Sequence, residues 1–186
     1  MRYSFIPGKR RLSQLTLICL TILGNVLYGK VCMGQGQPRV IDVNRDGIKD
    51  TIVHIAATNR FKIKYAVNGR TIERETLFFE GFGEGIANMS FGARNSSLWF
   101  SIRFAPKYLN EDTLWFSFDK RKADWRLVKM STYTFDTMDP KLISQTCSFR
   151  LNQKLWLLAD RYEQLQEIAK SKENRIGEKC STNQEH

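Results

Sequence analysis

Histidine is nearly missing from this 186-residue chain: it occurs at His54, inside an expected strand, and at His186, the last residue. Neither a Ser-His-Asp nor a Cys-His arrangement therefore has an evident base. The Gly-x-Ser-x-Gly elbow and the Gly-Lys-Ser/Thr phosphate loop are also absent. The glycine-rich stretch Gly81-Phe82-Gly83-Glu84-Gly85 is not followed by a helical pattern, so it reads as a flexible loop and not as a nucleotide-binding turn. Together these absences point away from an enzyme. No basic run of nucleic-acid type occurs beyond the leading segment either. The formal charge is +10, but the first 34 residues hold five Lys/Arg and no Asp/Glu, leaving 24 basic against 19 acidic residues. That excess is modest and spread along the chain, which excludes a nucleic-acid partner on charge pattern and leaves room for an anionic surface or an acidic protein. Lys120-Arg121-Lys122 reads as the polar turn of a hairpin.

What the leading segment does contain is ordered like an export signal. Lys9, Arg10 and Arg11 precede an apolar run from Leu15 to Leu27, and small residues follow. Cys32-Met33-Gly34 would direct cleavage before Gln35, and Leu27-Tyr28-Gly29 is a second, poorer site; an uncleaved anchor is the other reading of residues 1–34. In both readings the basic cluster stays inside and the remainder is exported, so a periplasmic or secreted location is expected, with membrane attachment only through an uncleaved signal. Cys19 and Cys32 do not sit in a lipoprotein signature. The remainder has the length of a single domain with a core of its own.

Beyond the signal, the cysteines are Cys147 and Cys180. In an oxidising compartment such a pair is most simply a disulfide that pins the C-terminal segment to the domain; two free thiols are the alternative.

From Arg39 the pattern is β. Strands are expected at 51–56, at 61–67 where Phe-Lys-Ile-Lys-Tyr-Ala-Val alternates, at 71–79, 87–91, 97–104, 113–119 and 125–135. Asn68-Gly69 predicts a two-residue hairpin turn, and connections this short demand antiparallel pairing. Leu98, Phe100, Ile102 and Phe104 share one strand face. Phe100, Phe104, Trp115, Phe116, Phe118 and Trp125 are expected to be core and cross-strand partners in preference to a stacking platform for bases or sugars. Leu155, Leu158, Tyr162, Leu165 and Ala169 recur at three- and four-residue steps without Gly or Pro, predicting one amphipathic helix over 152–172. The expected architecture is mainly β: an antiparallel sandwich or barrel-like domain over 35–150, then a C-terminal helix and tail over 151–186.

The sharpest local signal is Asp42-Val43-Asn44-Arg45-Asp46-Gly47-Ile48-Lys49-Asp50. Oxygen-bearing side chains at loop positions 1, 3, 5 and 9, a glycine at 6 and the Ile48 carbonyl at 7 are the arrangement a hard cation such as calcium requires. Position 12 is Val53 and not a bidentate Glu, and the segment that follows is strand-like, so this is no EF-hand. Asn44 keeps an oxygen but removes a charge. The loop resembles the calcium loops of the integrin-type FG-GAP and thrombospondin type 3 families, which implies a structural Ca2+ held by Asp42, Asn44, Asp46, Ile48 and Asp50. A turn held by Asx hydrogen bonds alone is the other reading.

A wider resemblance covers residues 40 to 136. The order of aspartate-rich loop, strand, hairpin, glycine-rich loop and aromatic strand, then Thr113 to Asp136 with its charged hairpin turn and Trp125-x-Leu127, is similar to small periplasmic proteins of the i-type lysozyme-inhibitor class and related immunity proteins. It implies a compact β domain whose loops contact a peptidoglycan hydrolase. The Ser-Gly-x-x-Tyr loop of some of these inhibitors is missing, and Asn95-Ser96-Ser97 occupies a comparable loop. Under this resemblance the loops at 81–85 and 94–97 face the target, and Glu80, Glu84, Arg94 and Ser96 are the contact candidates. Glu80 and Glu84 could also form a carboxylate pair, although solvated loop acids are commoner. A non-catalytic protein attached to the cell envelope is the alternative function.

Overall fold

Alternation with period two puts every second side chain on one sheet face, and the turn residues between the alternating runs decide which strands meet. A computed structural model describes residues 37–80, 86–94, 97–104, 108–136 and 143–184. Residues 34–186 form one compact unit. The strands are β1 (Arg39–Ile41), β2 (Asp50–Ile55), β3 (Arg60–Val67), β4 (Arg70–Glu75), β5 (Ile86–Arg94), β6 (Ser97–Phe104), β7 (Tyr108–Asp119), β8 (Asp124–Asp136), β9 (Ile143–Leu151) and β10 (Arg175–Gln184). Among the described residues, a helix, α1 (Tyr162–Lys170), and a short 3-10 turn (Lys172–Asn174) precede β10.

Both sheets are antiparallel meanders in chain order. The first runs β1-β2-β3-β4 and the second β10-β9-β8-β7-β6-β5. The chain is thus mainly β, a sandwich of two antiparallel sheets with a C-terminal helix. Asn68 and Gly69 have φ of 51° and 74°, the left-handed pair that a type I′ turn needs, and they set the register Val67↔Arg70. At the charged turn between β7 and β8, Asp119 Oδ1 accepts the backbone N–H of Arg121 at 2.9 Å and of Lys122 at 3.3 Å, and Ala123 takes φ 52°.

Aromatic rings fill the space between the sheets. Phe61 of β3 lies 4.8 Å from Phe100 of β6 and 4.9 Å from Phe91 of β5, both edge-on. Tyr65 of β3 meets Trp125 of β8 at 4.7 Å. Edge-to-face packing places positive ring edges on negative faces, adding about 0.5–1.5 kcal/mol per pair beyond area burial. The polar ends of these side chains are also satisfied: Tyr65 OH donates to Ala123 O at 2.7 Å, and Trp125 Nε1–H donates to Val43 O at 2.7 Å.

The strand expected over 71–79 ends at Glu75. Phe78 and Phe79 are adjacent and both fully buried, which a strand with one open face cannot achieve. A turn closed by Glu80 N–H to Leu77 O at 3.0 Å delivers both rings inward instead.

The helix expected over 152–172 is a single helix only over Tyr162–Lys170, where Tyr162, Leu165 and Ala169 are buried. Ahead of it the chain makes an isolated antiparallel bridge, Trp156 to Arg126 of β8, and then turns over 157–159. Leu127 N–H donates to Leu155 O and Leu157 N–H donates to Trp125 O, both at 2.9 Å, and Leu155 and Leu157 are buried two residues apart. Backbone groups of β8 that needed partners outcompeted helix propensity there. Asp160 Oδ2 then accepts Trp156 N–H at 2.6 Å, and Tyr162 N–H donates to Phe78 O at 2.8 Å, docking the helix start on the core.

The segment after the helix is also corrected, from tail to strand. β10 pairs with β9 from Arg175↔Leu151 to Gln184↔Ile143, around a bulge at 176–179 where Gly177 has φ 63°.

Candidate functional site

The 42–50 loop closes on itself through hydrogen bonds between its own side chains and its backbone. Asp42 Oδ1 accepts Arg45 N–H at 2.7 Å and its Oδ2 accepts Gly47 N–H at 3.1 Å. Asn44 Oδ1 accepts Asp46 N–H at 3.1 Å, and Asp46 Oδ1 accepts Ile48 N–H at 2.7 Å. Asp50 Oδ2 closes the loop by accepting Val43 N–H at 3.0 Å. Alternating Asx turns coil the backbone, with Arg45 at φ 64° and Gly47 at φ 82°. The loop is anchored on both sides. Asn44 Nδ2 donates to Ala66 O at 2.5 Å on the first sheet, and Trp125 of the second sheet holds Val43.

The donor set is one of hard oxygens, which suits calcium. Burial pushes the Asp50 carboxyl above its ordinary range; the Val43 N–H opposes this, while the charges of Asp46 and Asp42 add to it. The carboxylates thus repel one another across a buried position, a situation a bound cation would relieve. Their oxygens are turned toward backbone N–H groups, and Asp42, Asp46 and Asp50 do not gather within 4.8 Å of one another. Ion binding would require these side chains to swing inward. A recess of about 220 Å³ adjoins the loop between Asp46, Ile48, Asn68, Phe118 and Lys120.

Cys147 and Cys180 face each other across β9 and β10 and are joined, with sulfurs 2.14 Å apart. Glu178 lies close to them, but the bonded sulfurs are not thiolates and hold no metal.

The contact candidates divide. Glu80 is engaged within the fold: Arg60 Nη2 donates to its Oε1, and Arg161 Nη2 lies 3.3 Å from its Oε2. The Arg60 hydrogen bond holds the Glu80 carboxyl below its ordinary range. This pairing ties the turn at 77–80 to β3 and to Arg161, the residue that precedes α1. Arg94 is exposed at the end of β5, opposite Ser97. Glu84 and Ser96 lie outside the described residues, as do the leading segment and His186. His54 stacks on Phe61 at 4.7 Å, and burial lowers its pKa.

Trp115, expected among the core and cross-strand aromatics, is a cross-strand partner, opposite Trp99, and not a core residue. Leu114 and Phe116 are buried, so Trp115 between them points to the opposite face of the second sheet, where it is half-buried beside Trp99. Strict alternation in Leu114-Trp115-Phe116 was the available signal. Among the described residues, no helix is long and apolar enough to cross a membrane. No protein-family model, curated protein or solved structure matches this chain.

Proposed function

We propose that this chain is an exported binding protein without catalytic activity, that its leading segment is an export signal, and that calcium rigidifies the 42–50 loop. The observation that carries the reading is the Cys147–Cys180 bond. Disulfides persist in oxidising compartments and are rare where thiols are kept reduced, so the bond supports export independently of the N-terminal pattern. A peptidoglycan hydrolase is the partner class the inhibitor resemblance implies. Of the two contact candidates among the described residues, Arg94 is exposed at a hairpin end and left available, whereas Glu80 serves the fold itself.

The test is affinity capture from an envelope extract with the tagged full chain, followed by zymography of the captured material on peptidoglycan. A co-purifying hydrolase whose clearing is suppressed by added protein, and less so by Arg94→Ala, is the expected result. Capture without any hydrolase activity overturns the inhibitor reading. A second reading, attachment to the cell envelope, is favoured by the cationic side chains on the outward face of the second sheet: Lys129, Arg150 and Lys179 line one recess there.

A further inference from the structure

The outward face of the six-stranded sheet has a composition that core packing does not explain. One row across it is Gly92, Trp99, Trp115 and Lys129; the adjacent rows hold Ser90, Ser101, Thr113 and Ser131, then Asn88, Arg103, Glu111 and Tyr133. A Cβ added at Gly92 would meet Trp99 Cε2, Cζ2 and Nε1 at 3.0 Å each. The Nε1–Cζ2 edge of the Trp99 indole therefore packs closely over the backbone of β5 at Gly92, while the ring stays half-buried on this outward face. An aromatic ring fixed against a sheet and still partly exposed offers apolar surface to a ligand without reordering.

Beside the platform, polar groups are already oriented. Ser101 Oγ donates to Glu111 Oε1 at 2.7 Å, and Arg103 Nη2 lies 3.0 Å from Glu111 Oε2. Recesses of about 440 Å³ and 140 Å³ open on either side of this pair. Further along the face, Lys129 Nζ sits 4.8 Å from the centre of the Trp115 ring. Lys129, Arg150 and Lys179 then line a recess of about 210 Å³, and among the described residues no carboxylate lies within 4.0 Å of any of the three.

The geometry points to this face as a binding surface for an acidic glycan, a chain of pyranose rings that carries carboxylates. The C–H face of a pyranose matches the partly exposed indole of Trp99. Its neighbouring hydroxyls, each both donor and acceptor, match the fixed carboxylate and guanidinium of Glu111 and Arg103. Lys129 lies two strands from Trp99, about 10 Å at ordinary strand spacing, within reach of a short oligosaccharide. Its charge and those of Arg150 and Lys179 complement carboxylates on the sugar. A phosphodiester chain fits less well, since Glu111 places a negative charge in the trough where its phosphates would run.

The inference does not depend on a hydrolase partner, because it uses a sheet face and not the loops. Failed capture of a hydrolase leaves it standing, and absent glycan binding leaves the capture result standing.

The test is affinity electrophoresis of the full chain in native gels containing hyaluronate, polygalacturonate or soluble peptidoglycan glycan strands, with dextran and poly-dT gels alongside. Retardation by at least one acidic glycan, weakened by salt and absent in dextran, is expected. Trp99→Ala should weaken it roughly tenfold, the size of effect that follows truncation of a central tryptophan. Trp99 and Lys129 both lie outside the core, so Lys129→Glu serves as an independent variant whose retardation by acidic glycans should fall while its circular dichroism is unchanged. Retardation by none of the acidic glycans, retardation unaltered in both variants, or stronger retardation by poly-dT would each overturn the proposal.

Discussion

Replacing Asp112 with asparagine should remove a distinct pH dependence from the stability of this protein. Asp112 lies on the inward side of β7, opposite Ile102, and the hydroxyl of the fully buried Tyr162 donates to its Oδ2. Burial pushes the Asp112 carboxyl up from 3.8 to about 6, and the Tyr162 hydrogen bond only partly opposes this. The folded chain therefore holds a proton between pH 3.8 and 6 that the unfolded chain releases. Stability from this group is present below pH 3.8 and is lost as pH rises through 6, by about 3 kcal/mol for a shift of this size. Asp112→Asn keeps an acceptor for Tyr162 and has no charge to bury. The unfolding free energies of both proteins from urea titrations, measured from pH 4 to 7.5, should therefore diverge, the variant gaining roughly 2 kcal/mol relative to the parent as pH rises, the remainder having been lost already at pH 4. Taking the difference between the two removes the contributions of Asp50 and Asp124, whose carboxyls burial also raises. Parallel pH profiles would refute the reasoning.

Three further outcomes follow from the same structure. The double substitution Cys147→Ser with Cys180→Ser, which frees a sequence separation of 33 residues, should cost about 3 to 4 kcal/mol in denaturant unfolding, and an unchanged midpoint would show that the bond does not constrain the unfolded chain. Phe100→Ala, at the junction of Phe61, Phe79 and Phe116, should lose about 3 to 5 kcal/mol; a loss below 1 kcal/mol would mean that the two sheets close over the space. Excess calcium should raise the thermal midpoint by several degrees through binding to the folded state alone, and Asp46→Ala should abolish that rise; equal midpoints in calcium and in chelator would leave the loop as a hydrogen-bonded turn.

Several elements were legible because their signals are local. Asn68-Gly69 supports left-handed φ at both positions more readily than most pairs, so its hairpin and register could be read directly. The coil of the 42–50 loop was also readable, since each Asx side chain bonds a backbone N–H two or three residues away, apart from the bonds of Asp42 to Gly47 and Asp50 to Val43. The pairing of Cys147 with Cys180 followed from there being two cysteines beyond residue 34.

Other features depended on which surfaces meet. The run 152–160 has helical apolar spacing, yet Leu155 and Leu157 bond across to β8 around the Trp156 bridge because its backbone groups there needed partners. β10 carries little apolar periodicity, and its pairing with the long β9 is what makes it a strand. Phe78 and Phe79 could not declare from sequence that both would turn inward. The place of Trp115 required knowing which side of β7 faces the first sheet. Sequence by itself determined the antiparallel β class, the hairpins and the candidate ion loop, because propensity and near-neighbour hydrogen bonds act within a few residues. The tertiary structure alone decided where the helix begins, how the last segment is used and which aromatic rings face outward, because those outcomes depend on backbone and surface partners distant in sequence.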